Sequence, residues 1–258
     1  MDNDFVLKIG STYSGAVDAF GYAANEINKM GGGKYKIEWQ IELERQAHVY
    51  LKKNYPDTKK YYYDEWHDQY QLTPIDILCG GDPCQPNSVA GNRRGQEDNR
   101  FRWPHYFSLA KAMRPRWVIN ENVTGSIGNM VLDQKITDLE SIGYTCQPYI
   151  IPASSVGAFH TRRRVFLIAN SDVQRRGELL HIDAGTSFKT CRAAITLGTQ
   201  SNPFLQFEER ENEPAILPVS HGIPDQIFRL GAVGNSIHAQ IPIILLTAIY
   251  QIEKTLTQ

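Results

Sequence analysis

Apolar and polar positions along the first 170 residues fall into blocks that switch between a two-residue and a helical period. The run "FVLKIGS" (5–11) reads as a strand entering a glycine-containing turn, and "VDAFGYAANEINKM" (17–30) as the helix after it, stopped by Gly31, Gly32 and Gly33. A second strand, "KIEWQIELE" (36–44), ends in acids; "RQAHVYLKKN" (45–54) reads as its helix, stopped by Pro56, and "IDILCGG" (75–81) as a buried strand. The alternation continues with "YFSLAKAMR" (106–114) as helix, "RWVINENV" (116–123) as strand, "LDQKITDLESIG" (132–143) as helix and "RRVFLIAN" (163–170) as strand. Such alternation predicts an α/β fold with a doubly wound, mostly parallel sheet and functional loops at the carboxyl ends of the strands. Past Asn170 the periodicity fails, and a helical pattern returns only with "AQIPIILLTAIYQIEKTL" (239–256). The expected organisation is a main domain over 1–170, a small irregular region over 171–228 and a C-terminal segment, 229–258, that packs back on the main domain.

Composition narrows the class without naming a function. With 258 residues, 41% of them hydrophobic, the chain can bury a substantial core. The 27 Lys and Arg residues balance 28 Asp and Glu, so binding to a polyanion requires local clusters of charge. Cys79, Cys84, Cys146 and Cys191 form no CxxC pair and have no metal-ligand spacing. Free thiols in a reducing compartment and no metal are expected. The absence of a signal-like start and of any run of about 18 apolar residues leads to the expectation of a cytoplasmic protein with no membrane partner.

Polar chemistry gathers at the predicted strand ends. In "CGGDPCQPNSVAG" (79–91), Cys84 lies beyond the apolar run, in a segment too rich in Gly, Pro and Asn to be helix or strand. A buried structural thiol belongs inside such a run, so Cys84 reads as presented. Asn120, Glu121 and Asn122 close one strand, Glu42 and Glu44 close another, and Gly15 follows the first. In "HTRRRVF" (160–166), strand alternation puts Arg162 and Arg164 on one face and Arg163 on the other. Taken singly, these features have ordinary explanations: a solvated carboxylate at a strand end, and charges that protect an edge strand.

Taken together they carry a resemblance. Gly-Gly-x-Pro-Cys-Gln at 80–85, Glu-Asn-Val at 121–123, Arg-x-Arg at 162–164 and Gly-Asn-Ser at 234–236 resemble the DNA (cytosine-5) methyltransferase family in its own motif order. The likeness runs over about 6–169 and 229–252, and the C-terminal line is similar to compact phage and prophage members. It implies methyl transfer from S-adenosylmethionine to carbon-5 of cytosine in double-stranded DNA, on a base turned out of the helix. Cytosine carbon-5 is a poor nucleophile, so a thiolate must first add to carbon-6, and the resemblance gives that role to Cys84. Glu121 is then the acid at ring nitrogen 3, Arg164 the group that holds the carbonyl oxygen, and Arg162 its support.

For the cofactor, the resemblance implies Tyr13, Ser14, Gly15 and Ala16 in the first turn, Glu42 on the ribose, Asp64 near the adenine, and Asp82, Asn235 and Ser236. Val17 stands where the family has a second glycine, and a β-branched residue there resists positive φ. Asn87 and His160 also depart from the family pattern. For DNA, the implied contacts are Gln85, Ser88, Arg93, Arg94, Arg100 and Asn122, with Arg175 and Arg176 in the small target-recognition region of 171–228. Its few apolar residues support few reading loops, so a site of about two to four base pairs is expected. A monomer is expected. An RNA (cytosine-5) methyltransferase and an inactive DNA-binding homologue remain as alternatives.

Overall fold

The computed structural model describes residues 5–63, 72–83, 101–158, 160–171 and 237–257. Its strands are β1 (Leu7–Thr12), β2 (Tyr35–Glu42), β3 (Lys59–Tyr62), β4 (Ile77–Gly80), β5 (Trp117–Val123), β6 (Thr145–Pro152) and β7 (Arg163–Asn170). Between and after them come α1 (Ala19–Met30), α2 (Arg45–Asn54), α3 (Trp103–Met113), a single turn α4 (Gly125–Gly128), α5 (Val131–Ser141) and α6 (Gln240–Leu256). One seven-stranded sheet runs in the order β3-β2-β1-β4-β5-β7-β6. The strands from β3 to β5 are parallel, whereas β7 is antiparallel to both β5 and β6. The fold is the doubly wound, mostly parallel α/β sheet expected from the sequence.

Alternating side chains send each strand to two cores. Leu7, Ile9, Ile77, Ile119 and Phe166 pack on one face against Phe20, Ala24 and Ile27 of α1 and Leu246 and Ile249 of α6. On the other face, Leu78, Val118, Val165 and Leu167 pack against Trp103, Tyr106 and Leu109 of α3 and Leu139 of α5. β3 and β6, absent from the sequence reading, are the two sheet edges. β6 carries Pro148 and Pro152, which an edge tolerates, and its residues are mostly half-buried, so no clean alternation marks it. β7 is interior, so its arginines are not edge protection.

The C-terminal helix returns to the start of the described chain. Tyr250 donates its hydroxyl to the Phe5 carbonyl at 3.1 Å, and Tyr35 donates to the Leu246 carbonyl at 2.6 Å. Glu253, fully buried, accepts from Trp117 Nε1 at 2.7 Å and pairs with Arg116. Among the described residues no helix is long and apolar enough to cross a membrane.

Candidate active site

After β1 the chain turns tightly before α1, with positive φ at Tyr13 (53°), Gly15 (61°) and Asp18 (45°). Val17 is not among the positive-φ residues and is 40% exposed. The expected conflict at Val17 therefore does not arise, because the turn puts its left-handed positions at the neighbouring residues. Asp18, which the sequence reading missed, caps α1. Its buried carboxylate accepts from Ser11 Oγ at 2.9 Å, Gly21 N–H at 3.1 Å and Gln40 Nε2 at 2.5 Å. Burial pushes its pKa up, against those three hydrogen bonds.

Glu42, at the end of β2, ties this turn to its neighbour. It accepts from the backbone N–H of Gly15 at 2.6 Å and from those of Leu43 and Glu44 at 2.8 Å each. Burial raises its pKa while these amides and nearby His48 oppose the shift. Of roughly four acceptor positions on a carboxylate, one is left for a ligand. Tyr13 is hydrogen-bonded through its hydroxyl to His105 Nδ1 at 2.7 Å, and Tyr63 stacks obliquely on the same histidine with centroids 4.2 Å apart. Burial, then the neighbouring Tyr63 and Asp82, push the Tyr13 phenol far above its usual range.

The other half of the site lies where β4 and β5 end. A Cβ on Gly81 would come within 2.6 Å of Glu121 Oε2, so only glycine lets the strand end lie against that carboxylate. Arg164 Nε pairs with Glu121 Oε1 at 3.0 Å. Burial raises Glu121 to about 7, with Arg164 and then Arg162 pulling down, Asp82 pushing up and Lys135 pulling down. Arg162 and Arg164 both line the cavity, while Arg163 is exposed, as strand alternation predicts.

Asp82 and Asn122 are both engaged inside the protein. Asp82 lines the cavity, but its Oδ1 accepts from Lys135 Nζ at 2.5 Å, Asn120 Nδ2 at 2.9 Å and Asn122 Nδ2 at 3.2 Å. Asn122, expected on DNA, is 3% exposed, and its Oδ1 also accepts from the Val123 N–H at 2.8 Å. Both groups of its amide are used inside the protein. Lys135, 1% exposed, escaped the sequence reading. Of the remaining candidates, Cys84, Gln85, Ser88, Arg93, Arg94, Arg100, Asp64, Arg175, Arg176, Asn235 and Ser236 lie outside the described residues.

One cavity of about 410 Å³ joins the two halves. Ser14, Gly15, Ala16 and Glu42 line one end, and Pro83, Glu121, Arg162 and Arg164 the other. A pocket of this size, with a few convergent polar groups and a carboxyl of shifted pKa, has the character of an active site.

Residues 15–195 match the family model described as C-5 cytosine-specific DNA methylase. The chain belongs to this family. Among the relatives of this chain, Type II methyltransferase M.AgeI of Thalassovita gelatinovora is 33% identical over 161 residues, 60% of this chain and 36% of that protein. Orphan methyltransferase M.Rho11sI of Bacillus phage rho11s is 29% identical over 175 residues, covering 63% of this chain and 32% of its own length. The chain thus spans about a third of the length of these relatives. A crystal structure of a mutant of Spodoptera frugiperda DNMT2 superposes with a TM-score of 0.50 at 24% identity, covering 65% of this chain and 50% of that one. That likeness supports the fold.

Proposed function

We propose that this protein transfers a methyl group from S-adenosylmethionine to carbon-5 of cytosine in double-stranded DNA, through a covalent adduct on Cys84 and with the target base turned out of the duplex. The observation that carries the reading is the Glu121–Arg164 pair at one end of a cavity whose other end holds Gly15 and Glu42. Catalysis on cytosine needs a proton donor at ring nitrogen 3 and a cation at the carbonyl oxygen beside it. A carboxyl titrating at about 7 is still protonated in part near neutral pH, as a donor must be.

The residues at the far end fit the cofactor. Ser14, Gly15 and Ala16 are small enough for close backbone approach, no atom lies within 4 Å of a Cβ built on Gly15, and Glu42 keeps an acceptor position for a ribose hydroxyl. When bound, S-adenosylmethionine supplies the electrophilic methyl group. In the proposed sequence the Cys84 thiolate adds to carbon-6 while Glu121 donates its proton to nitrogen 3 and Arg164 holds the carbonyl oxygen. Carbon-5 of the resulting enamine takes the methyl group as its bond to the sulfonium breaks, which leaves S-adenosylhomocysteine. A base then removes the carbon-5 proton, the thiolate leaves carbon-6, and Glu121 recovers its proton.

DNA is favoured over RNA because the matching family model is described as a C-5 cytosine-specific DNA methylase. Incubation with tritiated S-adenosylmethionine and either duplex DNA or RNA, followed by nuclease digestion, tests the reading. Labelled 5-methylcytidine in place of the deoxynucleoside would move the substrate to RNA. A duplex with 5-fluorocytosine should trap the protein, because carbon-5 then carries no removable proton, and Cys84→Ala should abolish that trapping.

A further inference from the structure

Lys135 and Asp82 form a buried ion pair that takes no direct part in the proposed chemistry. Each side chain is 1% exposed, and Nζ lies 2.5 Å from Asp82 Oδ1. Burying two charges is expensive, and well-packed apolar residues usually serve a core as well or better. Satisfaction of this pair is therefore informative. The Lys135 ammonium also donates to Asn120 Oδ1 at 2.8 Å and faces the Trp103 ring at 5.0 Å. Asp82 in turn takes Asn120 Nδ2 and Asn122 Nδ2, so both ends of Asn120 belong to the same closed network.

The two asparagines flank Glu121 on β5. Side chains alternate along a strand, so Asn120 and Asn122 point to one face and Glu121 to the other. The network holds the asparagine face, and Gly81 and Arg164 hold the carboxylate face. Asp82 belongs to the segment that leads, two residues on, to Cys84. Through Asp82, one ammonium group ties that segment to the strand end bearing Glu121.

We propose that Lys135 is a positioning residue for methyl transfer: its buried pair with Asp82 fixes the segment leading to Cys84 against the strand end that presents Glu121, and keeps the charge beneath Glu121 balanced. The proposal rests on the function proposed above. The charges facing Glu121 are Arg164 and Arg162 from β7 and the residue before it, Asp82 from the end of β4, and Lys135 from α5. Asp82 and Lys135 act on its proton affinity in opposite directions, so each offsets part of the other's effect.

The test uses the full chain with Lys135→Met, Asp82→Asn and the double variant. Three quantities are read: the Glu121 titration midpoint by carbon-13 NMR, assigned with Glu121→Gln; the affinity for S-adenosylhomocysteine; and the rate of adduct formation with a 5-fluorocytosine duplex. The midpoint should rise above about 7 in Lys135→Met, fall below it in Asp82→Asn and return towards it in the double variant. Adduct formation should slow by about a hundredfold in all three, the size of effect a small misplacement of reacting groups produces, with affinity for the cofactor product changed by less than about threefold. If the single variants fail to fold, the charge-neutral double variant carries the test. Wild-type adduct rates in the double variant, or an unmoved midpoint in a folded single variant, would overturn the proposal. A wild-type protein that forms no adduct would defeat the function proposed above, and the midpoints would still decide whether the pair balances charge beneath Glu121.

Discussion

Arg164 reaches Glu121 diagonally across an antiparallel strand pair: Arg164 is in register with Val123, Glu121 with Phe166, and the two side chains meet at 3.0 Å. Diagonal neighbours of this kind lie about 7 to 8 Å apart at their backbones, which a long arginine spans easily. The reversal of β7 makes the contact possible. In a wholly parallel sheet the start of β7 would lie at the opposite edge from the end of β5, and the arginines would sit far from the carboxylate.

The raised pKa of Glu121 gives stability a pH dependence. Its carboxyl titrates at about 7 in the fold against an ordinary value of 4.5, so between those values the folded protein holds a proton that the unfolded chain has released. Stability from this group is complete below the unfolded value and is lost as pH rises through the folded one. Glu121→Gln removes that dependence. Urea unfolding of both proteins should show the variant gaining on the wild type by about 2 to 3 kcal/mol from about pH 4 to about pH 8, and a constant difference would rule this out.

Arg164→Ala removes the largest influence that lowers the Glu121 pKa. The Glu121 midpoint should move above about 7, visible as a carboxylic-acid carbonyl band persisting to higher pH in isotope-edited infrared spectra. Methyl transfer should lose about 2 to 4 kcal/mol of transition-state stabilisation, as when a preorganised donor is removed. Loss confined to DNA affinity would show that Arg164 acts elsewhere.

The first turn makes a contrasting pair of predictions. Val17→Gly should change cofactor affinity less than Gly15→Ala, because Val17 lines the cavity but has no positive φ and is 40% exposed, and should cost about 0.5 to 1 kcal/mol through a looser unfolded chain. Gly15→Ala should cost about 1 to 2 kcal/mol from backbone strain at φ 61°, since the space around it is open, and should weaken cofactor binding by shifting the N–H held by Glu42. Calorimetry with S-adenosylhomocysteine and thermal unfolding separate the two outcomes; equal affinity loss in both variants would contradict the turn geometry.

Tyr13→Phe deletes the hydroxyl bonded to His105 while leaving the ring packing in place. Thermal unfolding should register a loss of about 1 kcal/mol, the usual net value of one such bond. An unchanged melting temperature would mean the hydroxyl bond adds nothing.

Elements with strong local signals were legible in the sequence. α2 spans the same residues, Arg45–Asn54, as its helical pattern, because a proline follows closely and its apolar positions repeat at helical spacing. β3 and β6 were not legible, since edge strands bury neither face fully and so lack a period. The direction of β7 depends on pairing with β6 and β5, which no local pattern encodes. At the site, Glu121, Arg162 and Arg164 were legible only through the series of motifs that carries the family resemblance, since each alone has an ordinary explanation, and the structure brings all three to one cavity. Lys135 does leave a signal in the sequence: it falls three residues after Leu132 and four before Leu139, on the apolar face of α5. A charge on that stripe must find a buried partner, and Asp82 is the acid next to the strand end it faces.

The bond from Tyr250 to the Phe5 carbonyl makes the order of segments along the chain separable from their arrangement in space. α6 belongs to the core through its contact with α1 and the buried Glu253, not through its place after residue 236. From Tyr250 to Thr257 a helix advances about 10 Å, and the Tyr250 side chain spans the rest of the way to Phe5, a separation that a short extended bridge can close at about 3.3 to 3.6 Å per residue. A rearranged gene encoding residues 237–257, such a bridge and then residue 5 onward would rebuild the same interface, with α6 made first rather than last.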